Sequence, residues 1–332
     1  MEQNTDKNLT ITELLAKRKY NPDYVPNKED IVFTIGNPAR NCGSLSNFLT
    51  LSGLPKAGKS SFIAAIVASA FVPYDIFTMK LHMPKDRKKI CYFDTESSDY
   101  DFYRQINKIK GFAELSVLPD WFNAYQVRED GSGIIRKMIE AYLVENPDCS
   151  VIIIDGLLDL LVNYNDERES SLLTKWLKKI TKVYNVLLIT VLHQSKSNLS
   201  TTGHIGSASD RFAQSTLDIV KDKDRNCYVL TSRFMRSDMD FEPITLMNFN
   251  GVFQQVETEV KKEAGKKASD LSDIESKALC NTIVSIPTNY NDISDEIIER
   301  TATSKSYAKN LIKIWIQKSW ILKGADNKYF TR

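Results

Sequence analysis

Two stretches of the chain, SVIIIDG (150–156) and VLLITVLHQ (186–194), are apolar at nearly every position rather than at alternate ones. A strand of that kind needs cover on both faces, which helices packed on a largely parallel sheet provide. The rest of the chain fits this. IVFTIG (31–36), NFLTLSG (47–53) and KICYFDTE (89–96) read as further strands. Between them lie helical patterns in 59–71, 98–112, 133–147 and 167–185, and 217–234 reads as a hairpin turning at KDKDRN. The expected class is α/β, a mostly parallel sheet with helices on both faces, over residues 31–256. Residues 1–30 hold a short amphipathic helix (9–20) and a proline-bearing connector. Residues 257–271 are charged and poor in large apolar side chains, which predicts a linker. A small separate pattern of three helices and a hairpin fills 272–332.

One junction carries chemistry. Gly53-Leu54-Pro55-Lys56-Ala57-Gly58-Lys59-Ser60 follows a strand, opens a helix and has the P-loop spacing G-x-x-x-x-G-K-[ST]. Successive backbone N–H groups of such a loop, with the following helix N-terminus, point at phosphate oxygens. Residues Gly53 to Ser61 are therefore the expected nucleotide cradle. Lys59 is the cation for the terminal phosphates, and Ser60 is a ligand to Mg²⁺. Asp155 closes the apolar strand of 150–155 and is the expected second acid of the metal site; an aspartate there would also cap a turn. Hydrolysis further requires a group that polarises the attacking water. Gly156 and Leu157 follow Asp155, so this role falls to Glu96, with Asp94 second.

A P-loop, a glutamate after the second core strand, an apolar strand ending in aspartate without a following glutamate, and polar His193-Gln194 after the next strand together resemble the RecA-type ATPases. Within them the chain is most similar to the DnaB/RepA-like hexameric helicase branch. The resemblance implies ATP and Mg²⁺ as ligands, a homo-oligomer with a hexamer favoured, and single-stranded DNA as partner. It implies that His193 and Gln194 sense the γ-phosphate, and that 195–212, with Lys196 and Arg211, contacts DNA. The family's last core strand bears K-x-R-[FN]-x-P, whose cations reach a neighbouring active site. Here Arg233 and Phe234 match, but Thr231 replaces the lysine, which leaves Arg236 as a second source of charge.

Net charge is only +2, but residues 300–332 hold eight cations against the single acid Asp326. Such a basic end is a common footprint of nucleic-acid binding. In 304–319, Ala308, Leu311, Ile312, Trp315 and Ile316 share one helical face, and Lys305, Lys309 and Lys313 form another. Ser304 or Thr303 is the expected cap. The module resembles a winged helix-turn-helix, which implies duplex DNA contacts by Ser306, Tyr307 and Asn310 at base edges and by the lysines at phosphates. Together these implications describe an ATP-driven helicase or motor in replication or mobilisation of a plasmid or mobile element, or else a DNA-dependent ATPase switch that does not unwind. The five scattered cysteines predict no disulfide framework. The polar start and the lack of an apolar run near 18 residues predict a cytoplasmic protein with no membrane partner.

Overall fold

The computed structural model describes residues 10–194, 203–249, 252–256, 271–301, 305–324 and 326–331; the side chains of Val252, Lys305 and Ser306 also lie outside it. The chain divides into two compact units, Met1–Thr258 and Glu259–Arg332. In the first unit, α1 (Ile11–Arg18) starts at a capping box between Thr10 and Glu13. A small antiparallel sheet follows, in the order β2 (Arg40–Ser44), β1 (Ile31–Ile35), β4 (Met79–Leu81). Strand 31–36, which the sequence marks as a strand of the α/β domain, stands in this separate sheet. The partners β2 and β4 carry too little apolar pattern to be seen in the sequence.

The main sheet has nine strands in the order β12 (Val252–Val256), β11 (Ile244–Phe249), β10 (Cys227–Met235), β9 (Ser215–Asp222), β3 (Phe48–Gly53), β8 (Leu187–His193), β7 (Cys149–Asp155), β5 (Lys89–Asp94), β6 (Phe122–Gln126). The six strands from β9 to β6 pair in parallel, whereas β9 to β12 run as an antiparallel extension. The fully apolar runs are explained by two-sided burial. Val151 and Ile153 of β7 enter a core with Phe62, Ile63 and Ile66 of α2 (Lys59–Ser69) and Ile109 of α3 (Asp99–Ala113). Ile152 and Ile154 face the opposite core, with Ile135 and Ile139 of α4 (Ser132–Glu145) and Leu173 and Leu177 of α5 (Glu167–Tyr184). The period of two along one strand thus feeds both layers. All five cysteines are free and buried, used as small apolar residues. Among the described residues, no helix is long and apolar enough to cross a membrane.

The second unit contains α7 (Asp273–Ile283), α8 (Tyr290–Thr301), α9 (Lys305–Gln317) and the hairpin β13 (Ile321–Lys323) with β14 (Tyr329–Thr331). Ala308, Leu311, Ile312 and Trp315 of α9 pack on Cys280, Ile293 and Ile297. The Trp315 indole donates to Ser276 Oγ at 2.9 Å. Tyr307 departs from expectation: it is only 6% exposed and belongs to this core, so it does not reach a base edge. One side chain dominates so small a core. Trp315→Ala should cost about 3–5 kcal/mol, a large share of a domain's stability. Amide exchange along α9 checks this; protection equal to that of the unaltered chain would contradict it.

Candidate nucleotide and catalytic site

Parallel pairing brings four strand ends to one edge. Gly53 of β3 registers with His193 of β8, and Asp94 of β5 with Asp155 of β7. Ligands of open α/β sheets bind at this carboxyl edge. The loop after β3 turns with the Ala57 N–H donating to the Leu54 carbonyl at 3.1 Å. Lys56 and Gly58 both take left-handed backbone angles, φ +64° and +90°. No side chain caps the start of α2, where the N–H groups of Ser61 and Phe62 turn back to the Gly58 carbonyl. Both glycines are sterically required. A Cβ at Gly53 would lie 2.6 Å from the Ile219 carbonyl oxygen, and one at Gly58 2.6 Å from the Tyr228 ring.

Lys59 is buried, and its ammonium donates to the carbonyls of Gly53 and Leu54, each at 3.0 Å, and meets His193 Nδ1 at 3.1 Å. An ammonium only donates, so Nδ1 accepts and the imidazole proton sits on Nε2. Nε2 lies 2.9 Å from Glu96 Oε1. A continuous chain Lys59–His193–Glu96 results. Burial lowers the Lys59 pKa, against the pull of Glu96 and Asp155. Burial acts to raise the pKa of Glu96, but the hydrogen bond from His193, with the Lys59 charge, holds it below the ordinary carboxylate value. Glu96 is thus kept ionised beside the cradle.

The two strand-end aspartates divide their work. Asp94 Oδ1 accepts the N–H groups of Glu96 and Ser97 at 3.0 and 2.8 Å, so it caps the turn that presents Glu96. That duty, at 1% exposure, removes Asp94 as the alternative base. Asp155 accepts the Tyr92 hydroxyl at 2.8 Å, and the same hydroxyl lies 3.2 Å from Asp94. Burial and then the Asp94 charge push the Asp155 pKa up to about 7. Thr95 donates to Asp159 Oδ2 at 2.6 Å and approaches the carbonyls of Asp155 and Gly156. Gly156, at φ +116°, leaves a Cβ no room beside that hydroxyl. Sequence reasoning missed Tyr92, Thr95 and Asp159. Tyr92 was discoverable, being two residues before Asp94 on the same face of β5; Asp159, inside DGLLDLL, has no periodic signal.

A second chain leaves the same edge. The Gln194 amide donates to Ser52 Oγ at 3.1 Å, and Ser52 donates to Asp218. Asp218 also receives Arg233 Nε at 2.7 Å, and Arg233 Nη1 is 3.4 Å from Asp210 of α6 (Gly203–Phe212). Arg233 is therefore ion-paired twice within its own chain. Arg236 is exposed and donates to the Arg211 carbonyl. Lys196 and the rest of 195–202 lie outside the described residues, as do linker residues 257–270, the caps Thr303 and Ser304, and the side chains of Lys305 and Ser306. Lys309, Asn310 and Lys313 are exposed on α9.

The residues fit a metal–triphosphate ligand. Ser60 presents an exposed hydroxyl at the helix start, and two buried carboxylates stand side by side where a dication would relieve their repulsion. Among the described residues no group of three or more His, Cys, Asp or Glu forms a metal cage; Mg²⁺ here would complete its shell with phosphate and water, as is usual for that ion. Compared with known proteins, the chain matches no family model and no curated protein.

The raised Asp155 pKa has a stability consequence. The native carboxyl keeps a proton that the unfolded chain loses near the ordinary value of 3.8, so its contribution falls as pH climbs from there to about 7. Asp155→Asn should raise the melting temperature at pH 8 and leave it nearly unchanged near pH 4. Thermal unfolding at the two pH values decides; equal shifts at both would contradict the assignment.

Proposed function

We propose that the chain is a magnesium-dependent ATPase of the RecA-like kind that works on DNA as an oligomeric motor. One observation carries the ATPase reading: the P-loop, the Lys59–His193–Glu96 chain and Asp155 converge on one sheet edge. The loop amides and Lys59 would hold the triphosphate. Ser60 and Asp155 would hold Mg²⁺, which when bound neutralises developing phosphate charge. Glu96, ionised and oriented by His193, would accept the proton of the attacking water. The order of parallel strands, with β8 between the P-loop strand and the Asp155 strand, supports the RecA-like assignment.

The DNA half rests on the second unit. Its order of three helices then a hairpin, with Thr288 bridging to Tyr329, supports a winged helix-turn-helix. Lys309, Asn310 and Lys313, on the face away from Trp315, are the residues it would offer to duplex DNA. The two ion pairs of Arg233 favour a second reading. A cation offered to a neighbouring subunit would first have to leave Asp218 and Asp210, so a DNA-bound ATPase switch that does not unwind fits that residue as held. Strand displacement at saturating ATP separates the two readings, since a switch displaces nothing.

Lys59→Ala should abolish ATP hydrolysis while leaving the circular dichroism spectrum intact; unchanged turnover would remove the ATPase reading. Glu96→Gln should keep nucleotide affinity and lower turnover about 10²–10⁴-fold. Binding measured beside turnover checks this, and equal losses in both would assign Glu96 to binding.

A further inference from the structure

Two packed helices usually meet through apolar side chains. Part of the seam between α5 and α6 is instead polar and cationic. A cleft of ≈ 260 Å³ opens there, lined by Ser170, Lys175 and Lys178 from α5 and by His204, Arg211 and Phe212 from α6, with Glu167 its single acid among the described residues. The Ser170 hydroxyl is its buried donor. Ser170 is 1% exposed, and its Oγ has no hydrogen-bond partner among the described residues. A buried hydroxyl is seldom left unpaired, so such a group points to a partner supplied from outside. The surrounding charge says which kind. Three full cations and an imidazole against one carboxylate select an oxyanion.

We propose that this cleft holds the phosphodiester backbone of a single nucleic-acid strand. Shape favours a strand over a free phosphate. The cleft is open and runs on into a shallower groove along α5, where Arg168 and Lys175 stand with the acids Asp166 and Glu167. Arg168, Lys175 and Lys178 are spread along α5 rather than gathered round a point. Phe212 is 39% exposed at its rim, with the Lys178 ammonium 4.0 Å from the ring centroid. A cationic groove bordered by an exposed ring is how single strands are held without sequence preference, phosphates on the cations and a base on the ring. A phosphate oxygen accepting from Ser170 would satisfy the buried hydroxyl. The family resemblance implies a DNA contact for Arg211, which stands on α6; the α5 residues opposite it carry no such signal in the sequence.

The proposal takes its partner class from the proposed DNA function but does not depend on hydrolysis. Anisotropy of a fluorescein-labelled oligothymidylate, titrated with the full chain without nucleotide, tests it. The paired substitution Lys175→Glu with Arg211→Glu should weaken binding at least about tenfold and flatten the slope of log K against log salt by about 1.4, two phosphates' worth on a single strand. Ser170→Ala, which removes only the buried hydroxyl, should weaken binding with no loss of melting temperature. The neutral pair Lys175→Gln with Arg211→Gln guards against misfolding by charge reversal and should fall between. Binding of the oligonucleotide equal to that of the unaltered chain in all three overturns the proposal. So does a chain that ignores oligothymidylate while inorganic phosphate shifts the His204 imidazole resonances, which would make this a small-anion site. Mg·ATP affinity in the same variants should not change. If the unaltered chain bound the oligonucleotide but not Mg·ATP, the ATPase reading would fail and the cleft would stand.

Discussion

The parallel register of β3, β8, β7 and β5 is the constraint on which the rest depends. Strands buried on both faces admit polar side chains with least penalty at their ends, and parallel pairing gathers those ends at one edge. Asp94 and Asp155 therefore stand on adjacent strands, roughly 4.8 Å apart across the ladder. Burial and mutual repulsion burden Asp155, and the Tyr92 hydroxyl offsets only part of this. A fold selected for stability alone would place an apolar residue there. Local rules are commonly broken in this way where a protein has a function to perform.

Two hydrogen-bond chains part at the end of β8. His193 joins Lys59 to Glu96, and its neighbour Gln194 joins Ser52, Asp218 and Arg233 to Asp210 on α6. Movement of the Lys59 ammonium toward an anion in the cradle would release His193 Nδ1 and loosen the grip of Nε2 on Glu96. The adjacent residue would carry the same event toward α6, one wall of the cationic cleft. Two consecutive side chains thus belong to two separate chains of ordinary hydrogen bonds.

Much of this was legible in the sequence because it follows from periodicity and spacing. The apolar runs of β7 and β8, the helix face of α5 and the glycine spacing at 53 and 58 are each one-dimensional signals of a packing requirement. What was not legible arises from pairing across distance. The strands β2, β4 and β6 have mixed patterns because they lie at sheet edges or in a small separate sheet. Asp94 reads as a spare acid until its two backbone bonds to Glu96 and Ser97 are seen. Tyr307 reads as a polar contact on a basic helix, and only the packing of α9 shows which side it faces. Arg233 fits a motif position, yet its partners Asp218 and Asp210 are brought to it by the β9–β10 hairpin and α6. Nothing local announces them.

In the proposed function, loop amides, one buried ammonium and a strand-end carboxylate together form a site for a metal-bound triphosphate. Isothermal titration of the full chain with ATP, with and without Mg²⁺, measures this most directly. Saturable binding of one nucleotide per chain, strengthened by the metal, is the expected result. The metal's contribution should disappear in Asp155→Asn. An absence of heat with Mg·ATP, or a metal effect indifferent to residue 155, would contradict it.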